Sequence, residues 1–400
     1  MKGFSAKNFV KNQINEIRKV IGNEKAVIAV SGGVDSSTCA VLVHQAISEN
    51  LVCVILDDAF MREGEPEKVS ALLSQPPLSL PMKIENVQER FLNALNGLRD
   101  AEEKRKAFRK TFYETLGDIA KREGSQFLVQ GTILADIIET KGGIKTQHNV
   151  LEQMGISTRE LYGFKVVEPL VTLLKPQVRQ VARYLKIPPE ISERQPFPGP
   201  GLSVRVVGEI VPDKLASLKK ATAVVEGKLA ERKPGQYFAA IIDNDDIYPR
   251  PNLRELVKAT AKYMNLSSTK VWAKVFSDKA TGMKQKARRY GEVVAVTCRK
   301  DNSELYQPPK EKLLGLHKKV LAQMKSATRV LYMVGEGDVK QPYVVSVRSV
   351  ETKDFLKAEI SEIPLATLKE AADQILKECS NVSAVYYDVT PKPPATIEME

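Results

Sequence analysis

The sequence predicts an α/β fold, in which a doubly wound parallel sheet is followed by an α+β domain. Short apolar runs at residues 26–30, 51–56 and 127–129 are separated by segments with the spacing of helices or loops. Strands that alternate with helices along a chain form a parallel sheet. A weaker run at residues 83–87 and a strand end at residues 166–170 extend the same pattern.

Two domains are expected in the 400 residues. The first, residues 1–205, opens with an amphipathic helix, contains a long surface helix at residues 100–124 and ends just after RQPFPGPG, residues 194–201. Prolines and glycines exclude regular structure there. In the second, residues 206–400, strands are predicted at residues 206–210, 237–242, 270–276, 292–298, 343–347 and 385–389, and helices at residues 214–231 and 366–379.

Composition excludes several classes of protein. No apolar run approaches the roughly 18 residues that span a bilayer, and the N-terminus lacks the apolar core of a signal peptide. The cysteines, Cys39, Cys53, Cys298 and Cys379, lie far apart, without a CxxC pair or zinc spacing. We therefore expect a cytoplasmic protein with reduced, buried thiols and no membrane association.

A loop between the first apolar run and the following helix carries the strongest chemical pattern. It reads Ser31, Gly32, Gly33, Val34, Asp35, Ser36 and Ser37. The glycines allow backbone N–H groups to turn toward an anion, and the helix adds its own amides and dipole. Such a loop suits a nucleotide pyrophosphate, although a Gly-Gly turn with a serine helix cap is the simpler structural interpretation.

The loop differs from the Walker A motif because it lacks the lysine of GxxxxGK[ST]. A P-loop kinase or GTPase is therefore not expected. Asp35 offers a hard oxygen ligand for Mg²⁺ beside the phosphates, which makes it the candidate metal ligand.

These residues resemble a known superfamily. SGGVDSS resembles the pyrophosphate loop of the adenine nucleotide α-hydrolases, or ATP-pyrophosphatases, which cleave ATP between the α and β phosphates. Gly131-Thr132, IKTQHNV at residues 144–150, RQPFPGPGL at residues 194–202 and KPPATIEME at residues 392–400 resemble the GMP synthetase family more specifically. That resemblance covers residues 1–242 and 331–400.

The resemblance implies an activity and a set of site residues. The expected reaction is amination of XMP to GMP through an adenylyl-XMP intermediate, with ATP and Mg²⁺ as cofactors and AMP and pyrophosphate as products. Gly131 would help bind ATP, and residues 138–154 would form a lid that carries the catalytic candidates Lys145 and His148. The residues implied to contact XMP are Arg105, Lys392, Ile397 and Glu398.

The resemblance also bears on partners. The family's glutaminase domain is missing from this sequence, so ammonia would arrive free or from a separate glutaminase subunit. A homodimer through the C-terminal domain is implied. Two rival functions stay open: an ATP-pyrophosphatase that acts on another acceptor, and a noncatalytic paralogue that binds nucleotide for regulation.

A basic segment at about residues 243–330 interrupts the resemblance. It holds nineteen Lys or Arg against nine Asp or Glu, nearly all of the net charge of +11. A dimer-interface elaboration, an RNA-binding patch and a dock for an acidic glutaminase are all compatible with it. Without a recognised motif, a solvated basic face is the favoured interpretation, and nucleic acid is not an expected partner.

Several positions depart from the family pattern, mostly on the acceptor side. They are Asp58 after the second strand, Gln147 and Leu151 in the lid, Glu336 and Asp338 in a loop that usually carries an arginine, and Met399 in place of a terminal Trp. These departures therefore bear on the prediction that the protein uses XMP more than on the prediction that it uses ATP.

Overall fold

The computed structural model describes residues 3–141, 162–232, 234–247, 252–284, 287–352 and 357–400. The chain divides into two compact units. Residues 1–95 and 106–200 form the first unit, and residues 96–105 and 201–400 form the second. The sequence predicted one boundary near residue 205 and did not anticipate that residues 96–105 join the C-terminal unit.

The first unit contains a five-stranded parallel sheet in the order β3-β2-β1-β4-β5. Its strands are β1 (Ala26–Ala29), β2 (Leu51–Asp57), β3 (Met82–Asn86), β4 (Phe127–Val129) and β5 (Lys165–Val167). The predicted parallel sheet is therefore confirmed. Alternate residues face opposite sides, so that Ile28 packs into one hydrophobic cluster and Val27 into another.

Helices cover both faces of this sheet. They are α1 (Ala6–Ile21), α2 (Val34–Ile47), α3 (Glu65–Ser74), α4 (Gln88–Leu95), α5 (Ala101–Glu123), α6 (Leu134–Lys141), α7 (Lys175–Tyr184) and α8 (Pro189–Ser192). The predicted long helix is α5, and Asp100 caps its start by accepting N–H bonds from Glu102 and Glu103 at 2.9 and 3.0 Å.

The position of β1 creates the expected place for a ligand. The chain passes from β1 outward to β2 and later returns to β4 on the other side of β1. In open parallel sheets, ligands bind at the carboxyl ends of the strands where the strand order reverses. The loop of residues 31–37 follows β1 at this switch point.

The second unit is α+β, as predicted, and is built on a seven-stranded mixed sheet. The order is β11-β10-β12-β9-β8-β7, with β6 also paired to β10. The strands are β6 (Gln236–Asp243), β7 (Val271–Lys284), β8 (Ala287–Cys298), β9 (Ala327–Glu336), β10 (Tyr343–Glu351), β11 (Glu359–Ile360) and β12 (Val382–Asp388). Its helices are α9 (Pro212–Leu229), α10 (Leu253–Met264), α11 (Lys310–Gln323) and α12 (Leu365–Glu378).

The basic segment is an integral part of this second sheet. Its strands β7 and β8 continue the sheet beyond β9. Phe276 on β7 is buried in the core, whereas Trp272 on the same strand is 49% exposed. Of these two aromatic residues on β7, Phe276 therefore belongs to the core and Trp272 does not.

The strand predicted at residues 206–210 is wrong. Only Val206 makes a β-bridge, to Ile241. Gly208 has a φ of +79°, which ends the extended backbone. The carbonyl groups of Val206 and Gly208 accept hydrogen bonds from the buried ammonium group of Lys104, at 2.7 and 2.8 Å. The segment therefore makes one backbone hydrogen bond to β6, from the Val207 amide to the Ile241 carbonyl at 2.8 Å, and gives the carbonyl groups of Val206 and Gly208 to Lys104.

Two further expectations concern thiols and membranes. All four cysteines are free and buried, as predicted. Among the described residues, no helix combines the length and the apolar character that crossing a membrane requires.

Candidate active site

The phosphate loop lies at the switch point of the first sheet. β1 ends at Ala29 and α2 begins at Val34. Gly33 occupies the N-cap position, and no side-chain hydrogen bond caps this helix. The amides in the first turn of a helix have no acceptors within the helix, so this end of α2 favours an anion.

Two glycines permit the loop's close packing. Gly32 has a φ of +73°, and a Cβ atom there would lie 2.6 Å from Cγ2 of Val69. Gly131, just after β4, lies so close to the loop that its Cβ would be 3.0 Å from the amide nitrogen of Ser36. The structure therefore brings Gly131 together with the loop.

The serine side chains of the loop differ in their hydrogen bonds and in their burial. The Ser36 hydroxyl accepts a hydrogen bond from the Ser31 amide and donates one to the Gly33 carbonyl, both at 3.2 Å. It also lies 3.1 Å from the Ser31 hydroxyl. Ser37 is fully buried. Ser36 thus shapes the loop, and the Ser37 side chain faces the interior of the unit.

Three charged side chains gather beside the loop. Lys175, the first residue of α7, places its Nζ 2.6 Å from Oδ2 of Asp35. Glu168 follows β5, and its charge acts together with that of Asp35 on the Cys39 thiol. Burial, then Asp35, then Glu168 raise the pKa of that thiol. The Lys175–Asp35 ion pair therefore stands at the start of α2, and the Glu168 carboxylate lies near enough to act on Cys39 one turn further along the helix.

These residues fit a magnesium ion held together with phosphates. The Oδ1 atom of Asp35 is buried and has no hydrogen-bond partner in the described structure. Mg²⁺ in nucleotide sites is commonly bound through one or two carboxylates plus phosphate oxygens, not by an all-protein cage. No cluster of three or more His, Cys, Asp or Glu side chains that could hold a metal ion occurs among the described residues.

The proline-rich motif of residues 194–201 also reaches the loop. A guanidinium nitrogen of Arg194 would lie 3.5 Å from a Cβ on Gly32. Arg194 forms an ion pair with the buried carboxylate of Glu65, which also lies 3.4 Å from the Arg62 guanidinium. Arg62 in turn stacks over the Phe197 ring at 4.0 Å. The motif therefore supplies positive charge beside the phosphate loop.

In the second unit, the C-terminal tail is packed rather than solvated. Ala395, Met399 and Glu400 are buried. Residue Ala395 forms a β-bridge with Gly282 on β7, and the Met283 amide donates to the Pro394 carbonyl at 2.6 Å. The end of the chain is therefore part of the folded second unit.

Two fully buried arginines hold the tail in place. Arg348 donates to the carbonyl groups of Ile397 and Thr396 at 2.7 and 2.8 Å. Arg329 donates to the Thr396 hydroxyl at 2.7 Å and to the Glu398 carbonyl. Both guanidinium groups also contact the Asp388 carboxylate, at 3.1 Å for Arg329 and 2.7 Å for Arg348.

The predicted substrate residues of the tail differ in their surroundings. The Glu398 carboxylate is held in a two-point contact by Arg205, at 2.9 and 3.1 Å. The Ile397 side chain packs partly into the core of this unit. Lys392 is tied through its backbone to Ala358, by hydrogen bonds of 2.8 and 3.0 Å.

Arg105 lies close enough to the end of the tail for its charge to influence it. Its charge acts on the buried carboxylate of Glu400. Glu400 also forms an ion pair with the buried Lys104 and accepts a hydrogen bond from the Gly208 amide at 2.9 Å. Burial raises the pKa of Glu400 to about 7.

The departures from the family pattern have local explanations. Asp58 accepts a hydrogen bond from the Phe60 amide at 2.8 Å and so orders its own turn. Glu336 pairs with Arg299 at 2.6 Å, and Asp338 accepts from the Lys340 amide at 3.0 Å. Met399 fills an apolar interior.

Part of the predicted site lies outside the described residues. This applies to Lys145 and His148, to Gln147 and Leu151, and to nearly all of the predicted lid of residues 138–154. Conversely, sequence reasoning missed Lys175 and did not assign Glu168 or Arg194 a role at the loop. Lys175 and Glu168 follow the carboxyl end of β5, and that position on a parallel sheet was the available clue.

Comparison with known proteins extends this picture. Residues 5–200 match the NAD synthase family, and residues 334–399 match the GMP synthase C-terminal domain. A relative from Sulfurisphaera tokodaii, named as one subunit of a glutamine-hydrolyzing GMP synthase, is 41% identical over 399 residues, which is 99% of this chain and 100% of the relative. Relatives with the same name from Saccharolobus solfataricus and Methanopyrus kandleri are each 39% identical, again over 99% of this chain and 100% of the relative.

These matches run through the basic segment. Because they span nearly the whole of both chains, residues 243–330 have counterparts in these relatives, which the motif-based resemblance did not reveal. The similarity is therefore continuous from the phosphate loop to the C-terminal tail. On this full-length similarity, the chain belongs to the same family of GMP synthase subunits as these relatives.

Proposed function

We propose that this chain is the synthetase subunit of a two-subunit GMP synthase, which aminates XMP at the expense of ATP. The observation that carries the proposal is the full-length similarity to proteins named as GMP synthase subunits. The phosphate loop at the switch point of a parallel sheet supports the ATP half of the reaction. The match of residues 334–399 to the GMP synthase C-terminal domain supports the acceptor half.

The proposed chemistry has two steps. The C2 oxygen of XMP attacks the α-phosphorus of ATP, the bond to the β-phosphate oxygen breaks, and pyrophosphate leaves. Ammonia then attacks C2 of adenylyl-XMP and loses a proton, and AMP departs with the former XMP oxygen. The loop amides and Lys175 would stabilise negative charge on the pyrophosphate, a stabilisation that is strongest in a site shielded from water.

Asp35, together with Glu168, would hold Mg²⁺, which supplies charge neutralisation for the phosphates when it is bound. Lys145 and His148 remain the predicted catalytic residues: the lysine would balance charge during adenylyl transfer, and the histidine would accept a proton from ammonia. Arg105, Lys392, Ile397 and Glu398 remain the predicted contacts for XMP.

A separate glutaminase subunit would supply ammonia. The relatives' names refer to glutamine hydrolysis, and a cysteine-dependent glutaminase requires a reactive thiolate. Burial raises the pKa of Cys53 to about 12 and that of Cys298 to about 11. It also raises the pKa of Cys39 and Cys379. None of the four thiols therefore suits the role of the nucleophile.

We also propose a cytoplasmic homodimer. Four free thiols suit a reducing compartment, and the resemblance to GMP synthetases implies dimerisation through the C-terminal unit. Light scattering coupled to size-exclusion chromatography would measure the mass directly. A mass near that of a single 44.4 kDa chain would contradict the dimer.

The function is tested by incubating the purified chain with ATP, Mg²⁺, XMP and ammonium while following GMP and pyrophosphate together. Equal amounts of the two products are expected. Pyrophosphate release only with another acceptor would favour an enzyme with a different substrate. ATP binding without turnover of any acceptor would favour a regulatory paralogue.

A further inference from the structure

The second unit contains one arrangement of helices and strands twice. The outer module consists of α9, β6, β10, α12 and β12, and the inserted module consists of α10, β7, β8, α11 and β9. In each module the first two strands pair antiparallel, and the last strand pairs parallel with the second. The last strands of the two modules, β12 and β9, pair with each other and join the modules in one sheet.

The two modules also share local details. The parallel ladder shifts its register once in each module, directly after Glu292 in β8 and directly after Tyr343 in β10. The following helices, α11 and α12, are each preceded by a proline with closely similar backbone angles, Pro309 and Pro364. Each module can therefore be compared with the other as a version of the same fold.

The helices of the two modules differ in charge. Those of the inserted module carry seven Lys or Arg against two Asp or Glu, whereas those of the outer module carry six against five. The outer module folds in the same way with nearly balanced charge, so the fold does not require the excess. Since like charges on one surface repel, the excess does not serve stability either. It therefore indicates a role for the surface itself.

The basic side chains of the inserted module lie on the solvent side of α10 and α11. On α10 they recur every four residues and so follow one side of the helix. On α11, the Lys319 ammonium group lies 5.4 Å from the centre of the Tyr263 ring of α10, so the two basic surfaces adjoin. We call this surface the basic helix face. Its exposed cations are Arg254, Lys258, Lys262, Lys310, Lys318 and Lys319.

Most of this charge is not neutralised within the chain. Lys258 pairs with Glu255 at 3.1 Å, but both side chains are more than half exposed, so the pair contributes little. Lys310 pairs with Glu362. The other four cations of the basic helix face have no ion-pair partner within the described parts of the chain. The face therefore presents uncompensated positive charge to solvent.

The composition of the basic helix face suits nucleic acid better than a protein partner. The centres of protein interfaces are depleted in charged residues and depend on aromatic or apolar anchors. No large apolar side chain is exposed on α10 or α11, both of which the structure describes in full. Interfaces with nucleic acid are polar and strongly positive, and their lysines neutralise phosphates without reading bases.

We propose that the basic helix face binds the phosphate backbone of nucleic acid without sequence preference. This activity goes beyond the proposed function and does not depend on it. The sequence alone favours a solvated face and no nucleic-acid partner. The comparison of the two modules changes that interpretation, because only one of them carries the charge.

The test is fluorescence anisotropy of a short, labelled DNA duplex of mixed sequence, titrated with the full chain at several salt concentrations. We expect a Kd of about 10⁻⁶ to 10⁻⁴ M at physiological salt. The affinity should fall steeply as the salt concentration rises, because bound lysines release counterions from the phosphates.

Two variants with equal changes in net charge locate the binding surface. The variant of the basic helix face is K258Q/K262Q/K318Q/K319Q, and the matched control on the helices of the outer module is K220Q/K228Q/K369Q/K377Q. We expect the first to bind at least about 10-fold more weakly and to show a shallower dependence on salt. The control should stay close to the unaltered chain.

Further readouts separate this binding from unfolding and from the substrate site. Both variants should keep the thermal midpoint of the unaltered chain, because the changes lie on the solvent side of helices. Saturating ATP and XMP should leave the affinity for the duplex unchanged. If the chain forms no GMP, the proposed function fails, whereas binding of the duplex is still expected.

Three outcomes would overturn the proposal. The first is that the unaltered chain does not bind the duplex, and the second is that both variants lose affinity equally, so that net charge alone matters. The third is that polyglutamate competes as well as unlabelled duplex does, which would favour an acidic protein as the partner. Displacement of the duplex by ATP or XMP would likewise place the binding at the substrate site and not on the basic helix face.

Discussion

The ammonium group of Lys175 lies 2.6 Å from the Oδ2 atom of Asp35, across the mouth of the phosphate loop. The two residues are far apart in sequence, and each stands in the first turn of a helix at the same edge of the sheet. Their side chains are 35% and 26% exposed, so both are accessible to a ligand. The pair therefore joins a candidate metal ligand to a candidate phosphate ligand.

Loss of Lys175 should impair ATP use more than folding. We expect K175M to lower kcat/KM for ATP by about 10- to 100-fold, the cost of one charge-assisted contact to phosphate. The free energy of unfolding should change by less than about 1 kcal/mol, because partly exposed ion pairs contribute little. Pyrophosphate release measured against ATP concentration tests this, with K7M on the exposed face of α1 as control. Equal kinetics in the two variants would show that Lys175 does not belong to the ATP site.

The two loop glycines should respond differently to alanine. In G32A, the new Cβ would meet Val69 at 2.6 Å in a backbone with φ +73°, so we expect a loss of about 2–4 kcal/mol in the free energy of unfolding. In G33A, φ is −79° and the nearest contact is the Ser31 hydroxyl at 3.4 Å. That variant should change stability by less than about 0.5 kcal/mol. Urea denaturation compares them, and similar losses would refute the strained position assigned to Gly32.

Removing one member of the buried Lys104–Glu400 ion pair should lower the free energy of unfolding substantially. K104M leaves the Glu400 carboxylate buried without its cation, and we expect a loss of about 3–5 kcal/mol at pH 8. The double variant K104M/E400Q should recover part of this loss, because no uncompensated charge remains. K110M removes a lysine whose side chain is 74% exposed in a surface ion pair, and it should cost less than about 1 kcal/mol. Additive losses in the double variant would argue against the pairing.

Glu400 should also make stability depend on pH. Burial raises its pKa from the ordinary 4.5 to about 7. The folded state therefore holds this proton at pH values where the unfolded state has released it. The stabilisation is complete below about 4.5 and is lost as the pH rises through about 7. Unfolding free energies of the unaltered chain and E400Q across this range provide the check. The stability of the unaltered chain should fall relative to that of E400Q as the pH rises from about 4.5 through about 7. A stability difference that does not change with pH, or that moves in favour of the unaltered chain, would contradict the assignment.

Local patterns were sufficient to predict the phosphate loop and its setting. An apolar strand, a glycine turn and a helix follow one another in residues 26–47, so the local sequence is enough to predict this part of the fold. The neighbours of the loop were harder to predict. Lys175 is an ordinary basic residue at a helix start, and only the return of the chain through β5 brings it to Asp35.

In the second unit, even more of the structure could not be predicted from local sequence patterns. The tail of residues 392–400 has the composition of a disordered terminus. Its order depends on buried donors from Arg329 and Arg348, which lie on central strands of the sheet. Likewise, residues 206–210 contain three β-branched residues that favour a strand, but the backbone at Gly208 has a φ of +79° and the Lys104 ammonium group binds its carbonyl. Such long-range contacts override local propensity and leave no local pattern.

In the proposed mechanism, the C2 oxygen of XMP attacks the α-phosphorus of ATP. XMP labelled with ¹⁸O at C2 tests this directly when it is incubated with the chain, ATP, Mg²⁺ and ammonium and the products are separated for mass spectrometry. The account predicts that the label appears in AMP, with one labelled oxygen for each GMP formed. Unlabelled AMP, or label released into water, would contradict an adenylyl-XMP intermediate.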